Sequence, residues 1–257
     1  YQIDAFTDKI FGGNPACVVP LTDWLPDDIL LKITKENAVA ETAFFIDKGD
    51  KIHVRWFTPE IEMDLCGHAT LATAHCLKSI LNYPSNEIIF ETISGDLTVL
   101  VENDVYHLVF PSRMPVLSEL PETIKKSLSI QPKEVYKSRD YLLVYATEQE
   151  IEKIKIDRQL FDKINLAPGG VIVTAIGKNC DFVSRFFTPQ ASILEDPVTG
   201  SAHCSLIPFW SSRLKKNELT ALQISDRIGK LQCQNKKDHV IISGKAKIYS
   251  IGNLWTA

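Results

Sequence analysis

The chain predicts an α+β fold built from two similar halves. Three observations carry that prediction. Short runs of β-branched and aromatic residues recur along the chain with strand-like alternation. Helical stretches are few, and two of them are apolar on nearly every face. An internal repeat relates the first half to the second.

The strand-like runs of the first half cover 1–7, 15–20, 42–47, 51–57, 87–93, 96–102 and 105–110. Between them, Pro26–Asn37 reads as a helix, with proline at its start and Asp27 and Asp28 in its first turn. His68–Leu81 is mostly Ala, Leu, Thr and Cys with almost no charge, which predicts a buried helix. Ser201–Leu214 is a second of the same kind, and Pro208 inside it is expected to kink or end it. Prolines at 111, 115, 121 and 132 mark a crossover between halves.

The repeat consists of three islands in the same order. Val54-Arg55-Trp56-Phe57-Thr58-Pro59 recurs 130 positions later as Ser184-Arg185-Phe186-Phe187-Thr188-Pro189. Gly67-His68-Ala69 is answered by Gly200-Ser201-Ala202 after 133 positions, and Gly95-Asp96-Leu97 by Gly229-Lys230-Leu231 after 134. Slowly growing shifts fit homologous halves with small insertions. The expected domains are therefore 1–112 and 113–257, the last strand (about 246–257) returning to the first. Length agrees, since 257 residues at ~150 per domain fall between one large domain and two small ones.

Composition excludes several classes. Hydrophobic residues make up 45% and charged residues 23%, the ordinary globular mix rather than a disordered one. Lys+Arg is 28 against Asp+Glu 32, a net charge of -4, so the basic surplus of a nucleic-acid binder is missing. The same balance disfavours electrostatic attachment to a membrane, and no apolar run approaches the ~18–20 residues of a membrane span. The chain opens Tyr1-Gln2-Ile3-Asp4-Ala5-Phe6 without Met, strand-like rather than basic then apolar. Six cysteines with no C-x-x-C pair argue for free thiols in a reduced, cytoplasmic setting. No metal is expected, because the pairs His75-Cys76 and His203-Cys204 are not related by the repeat.

The chemistry-bearing residues gather at the two helix starts. A helix N-terminus presents free N–H groups and a positive dipole end, so two of them across a cleft would bind a small carboxylate. Gly67 lets the backbone approach such a ligand. His68 at the first helical position is expected to have a lowered pKa and to be neutral, or simply to cap the helix. Cys66 just before the helix reads either as a low-pKa thiol or as a small buried hydrophobe. In the second half Asp196 precedes Pro197 and so lies on extended backbone, Ser201 is the positional twin of His68, and His203 reads equally as a core or a site histidine. Glu41, between Ala40 and Thr42-Ala43-Phe44-Phe45, is expected to have the raised pKa a general acid/base needs. The repeat gives Glu41 no acidic twin, since position 171 is valine, and it pairs Cys66 with Thr199. That asymmetry favours one base that takes a proton and redelivers it over a matched pair of bases.

Asp4-Ala5-Phe6-Thr7, Phe11-Gly12-Gly13-Asn14-Pro15-Ala16, Ala40-Glu41-Thr42-Ala43-Phe44, Arg55-Trp56-Phe57-Thr58-Pro59, Asp64-Leu65-Cys66-Gly67-His68-Ala69-Thr70 and Glu195-Asp196-Pro197-Val198-Thr199-Gly200-Ser201-Ala202-His203 together resemble the PhzF-type family of phenazine-biosynthesis isomerase-like proteins. More distantly they resemble diaminopimelate epimerase. The resemblance implies the diaminopimelate-epimerase-like fold: two pseudo-symmetric α+β domains, each a curved, mostly antiparallel sheet wrapped round a central helix, with the site between them. It implies a cofactor-independent isomerase that moves a proton on a small cyclic or amino-acid-like carboxylate, as the phenazine-pathway enzyme does on a dihydro-hydroxyanthranilate. By the same resemblance Glu41 is the acid/base and His68 and Asp196 assist. Gly67, Gly200, Ser201, Asn14 and Cys66 are implied to bind substrate, and a homodimer is the implied assembly. Two alternatives stand beside this reading. One is a racemase or epimerase using Cys66, although Thr199 replaces the second thiol that the epimerases carry. The other is a non-catalytic interaction protein that keeps the fold.

Overall fold

The computed structural model describes residues 1–166 and 169–256, so Ala257, at the end of the expected last strand, lies outside the described residues. The chain divides into two compact units. One is 1–110 together with the returning segment from 241, and the other is 111–240.

The first unit opens with β1 (Gln2–Ala5) and β2 (Asn14–Pro20), then α1 (Asp27–Asn37), β3 (Glu41–Asp47), β4 (Ile52–Phe57) and β5 (Glu62–Met63). It continues with α2 (Gly67–Ser79), β6 (Glu87–Thr92), β7 (Gly95–Glu102) and β8 (Val105–Pro111). The second unit runs β9 (Val116–Leu117), α3 (Glu122–Ser127), β10 (Glu134–Lys137), β11 (Tyr141–Val144), α4 (Glu148–Lys153), α5 (Arg158–Phe161) and β12 (Val171–Ile176). There follow β13 (Phe182–Phe187), β14 (Glu195–Asp196), α6 (His203–Leu214), β15 (Glu218–Gln223) and β16 (Gly229–Asn235). β17 (His239–Gly244) leads back to the first unit, where β18 (Ala246–Ser250) pairs antiparallel with β1.

Both units use one plan. A parallel pair comes first, β2 with β3 and β11 with β12, each joined through helix. An antiparallel strand follows, β4 on β3 and β13 on β12, and it pairs in parallel with the strand after the buried helix, β6 or β15. In α2 ten of thirteen residues are buried, which its apolar sequence requires. The second unit's core gathers Leu143, Tyr145, Ile151, Phe161, Val173 and Val183.

The repeat is now visible as paired bonds. Arg55 donates through Nε and Nη2 to both oxygens of Glu62, at 2.7 and 2.6 Å. Arg185 does the same to Glu195, at 2.7 Å twice. Each guanidinium also lies 5.0 Å from the ring of the phenylalanine two residues on, Phe57 or Phe187. The turns they span close alike, with Thr58 N–H on Ile61 O and Thr188 N–H on Leu194 O, both 2.9 Å. The extra three residues therefore sit inside the second turn, between Pro189 and Ile193. The third island is kept for two different reasons. Gly95 turns the β6–β7 hairpin at φ +101, whereas a Cβ on Gly229 would strike Val198 at 2.3 Å.

Three expectations are corrected. α6 begins at His203 rather than Ser201, because Gly200–Ala202 form a tight turn in which His203 and Cys204 N–H groups bond three residues back. Pro208 neither ends nor breaks α6, which runs on to Leu214. Its missing N–H leaves the Cys204 carbonyl without a helical donor, and the Arg113 N–H fills that role at 2.9 Å. The proline-bearing stretch 111–132 is not a bare crossover: it contains β9 and α3, and Ile124 is fully buried in the second core.

The two forks give a direct test. Arg55→Lys and Arg185→Lys each keep the charge and lose the bidentate geometry, at an expected cost of about 1–3 kcal/mol. A lowered Tm in both is the expected outcome, and an unchanged Tm in both would remove the forks from the stability account.

Candidate functional site

Strand pairing carries three side chains of the first unit to one point. Glu41 is the first residue of β3 and faces Ala16 on β2, two residues beyond Asn14. His68 stands in the first turn of α2, just after Cys66 at the helix N-cap. Glu41 Oε2 lies 3.2 Å from His68 Nε2, Asn14 Nδ2 3.2 Å from His68 Nδ1, and Cys66 Sγ 3.7 Å from that same Nδ1. His68, Cys66 and Asn14 are buried, and the Glu41 side chain keeps 15% exposure. The Glu41–His68 contact is close but off the hydrogen-bond direction, and neither atom has another protein partner.

The electrostatics depart from expectation at His68, and at Cys66 they fit the buried hydrophobe rather than the low-pKa thiol. Burial opposes charge on His68, but Cys66 and Glu41 on either side outweigh it and push the pKa well above 6.5. The expected helix-dipole lowering is overridden because a carboxylate stands against Nε2. The Cys66 thiol is pushed up rather than down, by burial first and by Glu41 as well, against the pull of His68. Glu41, Cys66 and His68 offer ligand atoms all within 4.8 Å of one another, the one such group among the described residues. The ring has one nitrogen toward the thiol and the other toward the carboxyl.

The second unit carries the matching helix start. Asp196, on β14, accepts a hydrogen bond from the Thr199 hydroxyl at 2.5 Å. Gly200 is buried and Ser201 half-buried in the tight turn before α6. His203 is resolved as a structural residue. Its Nδ1 donates to the Thr199 carbonyl at 2.9 Å, as Thr70 Oγ1 donates to the Cys66 carbonyl 133 positions earlier, at 2.5 Å. His203 is fully buried, its Nε2 has no partner, and burial pushes its pKa down to about 4. Sequence reasoning missed Gln223, a buried amide of β15 that bonds Thr199 and the Asp196 carbonyl. Nothing in a strand sequence Glu-Leu-Thr-Ala-Leu-Gln sets it apart.

The two histidines should bend the stability curve in opposite senses. His203 has a lowered folded pKa, so its contribution is present above about 6.5 and lost as pH falls toward 4, a loss of about 3 kcal/mol. His68 has a raised folded pKa, so its contribution is full below about 6.5 and is lost as pH rises through the folded value. Calorimetric Tm from pH 4 to 9 is expected to lose its acid limb in His203→Gln and its alkaline limb in His68→Gln. Unchanged limbs would contradict these assignments.

The family model described as "Phenazine biosynthesis-like protein" matches residues 3–252. An uncharacterised isomerase of Pseudomonas aeruginosa is 45% identical over 255 residues, covering 99% of this chain and 97% of that protein. The crystal structure of a phenazine biosynthesis protein of the PhzF family from Enterococcus faecalis superposes with a TM-score of 0.91 at 43% identity, covering 97% of this chain and 96% of that one. A predicted epimerase from Pseudomonas aeruginosa shares the fold at 18% identity, with a TM-score of 0.78 and coverage of 100% and 99%.

Proposed function

The chain belongs to the phenazine biosynthesis-like family of isomerases, and from that premise we propose that it moves a proton within a small carboxylate-bearing substrate, with Glu41 as the acid/base. The observation that carries this reading is the Glu41–His68 contact: a carboxyl at the rim of the buried cluster, 3.2 Å from the His68 imidazole. Glu41 takes a proton from a substrate carbon, the electron pair shifts along the conjugated system, and Glu41 returns the proton to a second carbon. Atoms and electrons balance without an oxidant, so the step needs no cofactor. His68 holds Glu41 in place and supplies a positive charge as the proton moves.

The start of α2, where the N-cap residue Cys66 makes no side-chain cap bond, is the proposed seat of the substrate carboxylate, with the Gly67 backbone closest to it. Gly200 and Ser201 are the proposed counterparts in the second unit, and Asp196 the assisting carboxylate. Asn14, fully buried against His68, would serve the reaction by fixing that ring. Among the described residues no helix is long and apolar enough to cross a membrane, and the six thiols are free. A cytoplasmic homodimer is the setting we propose.

The contact of Cys66 with His68 Nδ1 favours one second reading, a racemase in which the thiol is the acid. Two variants separate the readings through solvent-deuterium uptake into a small carboxylate that the wild type turns over. On the first reading Glu41→Gln lowers exchange about 10²–10⁴-fold and Cys66→Ser leaves it largely intact. The reverse pattern would establish the thiol reading, and undiminished exchange in Glu41→Gln would remove Glu41 from the chemistry.

A further inference from the structure

We propose that Gln223 and Thr199 are positioning residues that hold Asp196 as a carboxylate, through a hydrogen-bond chain whose direction is fixed at its inner end. The Gln223 amide is buried and its orientation follows from two backbone partners. Its Oε1 accepts from the Thr199 N–H at 2.8 Å, and its Nε2 donates to the Asp196 carbonyl at 2.8 Å. The backbone fixes which end is nitrogen, because an N–H can only donate and a carbonyl can only accept.

The second Nε2 hydrogen points at Thr199 Oγ1, 3.2 Å away. Thr199 then accepts there and spends its one hydroxyl hydrogen on Asp196 Oδ2, at 2.5 Å. An oxygen that accepts from a hydroxyl at that distance is stabilised without a proton of its own. Bonds that point the same way along a chain also strengthen one another. The loop between the two residues is pinned besides: Ser225 Oγ donates to the Pro197 carbonyl at 2.8 Å, and Val198 packs on Gly229. Thr199 occupies the position where the first unit has Cys66. Its hydroxyl therefore has a use of its own and is more than the absence of a thiol.

The functional weight of this chain rests on the assisting role proposed above for Asp196, but its test does not need a substrate. In protein labelled with ¹³C at the aspartate carboxyls, the Asp196 resonance is assigned by its disappearance in Asp196→Asn and followed from pH 3 to 8. Thr199→Val is expected to raise the Asp196 titration midpoint by about 1 pH unit. Thr199→Ser, which keeps the hydroxyl, is expected to restore it, a rescue that a packing role alone would not produce. Gln223→Met leaves Thr199 in place but frees its hydroxyl, and is expected to raise the midpoint too. An unmoved midpoint in Thr199→Val, or in Gln223→Met should Thr199→Val fail to fold, overturns the proposal. Failure of the Glu41 exchange test would leave this result standing, so the two readings fail separately.

Discussion

Each unit spans the turn after its inner strand with one ion pair, the fork of Arg55 on Glu62 and of Arg185 on Glu195. The arginine stands two residues before the end of an inner strand and the glutamate opens the short strand after the turn. Two parallel N–H···O bonds therefore fix both the distance across the turn and its rotation. The side chains are largely shielded, 16% exposed for each arginine and 24% and 22% for the glutamates, so the pair is screened less than a surface bridge. The further bonds of the guanidinium differ between the two units. Arg55 reaches Asp27 at the start of α1, whereas Arg185 donates to the Ile151 and Ile154 carbonyls at the end of α4. Both arrangements suit the helix dipole, acid near an N-terminus and cation near a C-terminus.

On this shared frame the chemistry is asymmetric. The residue after Glu62 is Met63, and the residue after Glu195 is Asp196. In an extended strand neighbours point to opposite faces, so a fork that fixes Glu195 also fixes the side on which Asp196 emerges. At the head of β3 stands Glu41, and at the head of β12 stands Val171, fully buried in the second core. Thr70 and His203 show the opposite case, different residues with one task, each bonding the carbonyl four residues back where a helix begins. The duplicated frame thus preserves geometry while letting single positions change their chemistry.

What could be read from residues alone follows from range. The islands around Arg55 and Arg185 were legible because aromatic strand ends and Thr-Pro turns are local. The forks were not, because the acceptor lies seven positions on in one half and ten in the other. The longer first-half strands emerge within a residue or two, β1 being cut short at Phe6 where φ turns to +60, whereas the two-residue β5 is not read at all. Glu41, Cys66 and His68 were picked out from local pattern, and their contact depends on strand pairing. The pKa direction at His68 goes the other way for the same reason: a helix-terminus argument sees the dipole but not the carboxylate brought in by β3. Pro208 reads as a breaker until Arg113, ninety-five residues earlier, is seen to take up the freed carbonyl.

The partners of the two carboxyls imply a division of labour. Glu41 faces an imidazole, a group that can either donate or accept a proton. Asp196 faces a threonine hydroxyl, which can donate a hydrogen bond but does not surrender its proton. A carboxyl coupled to imidazole can be recharged after each proton transfer. One held by a hydroxyl is kept in a single state. On the proposed reading the first suits the group that moves the proton, and the second suits a fixed negative charge that orients or balances what moves. The placement of Thr199 where a second thiol would complete a two-base racemase points the same way, because it takes from the second unit the group that could exchange a proton there.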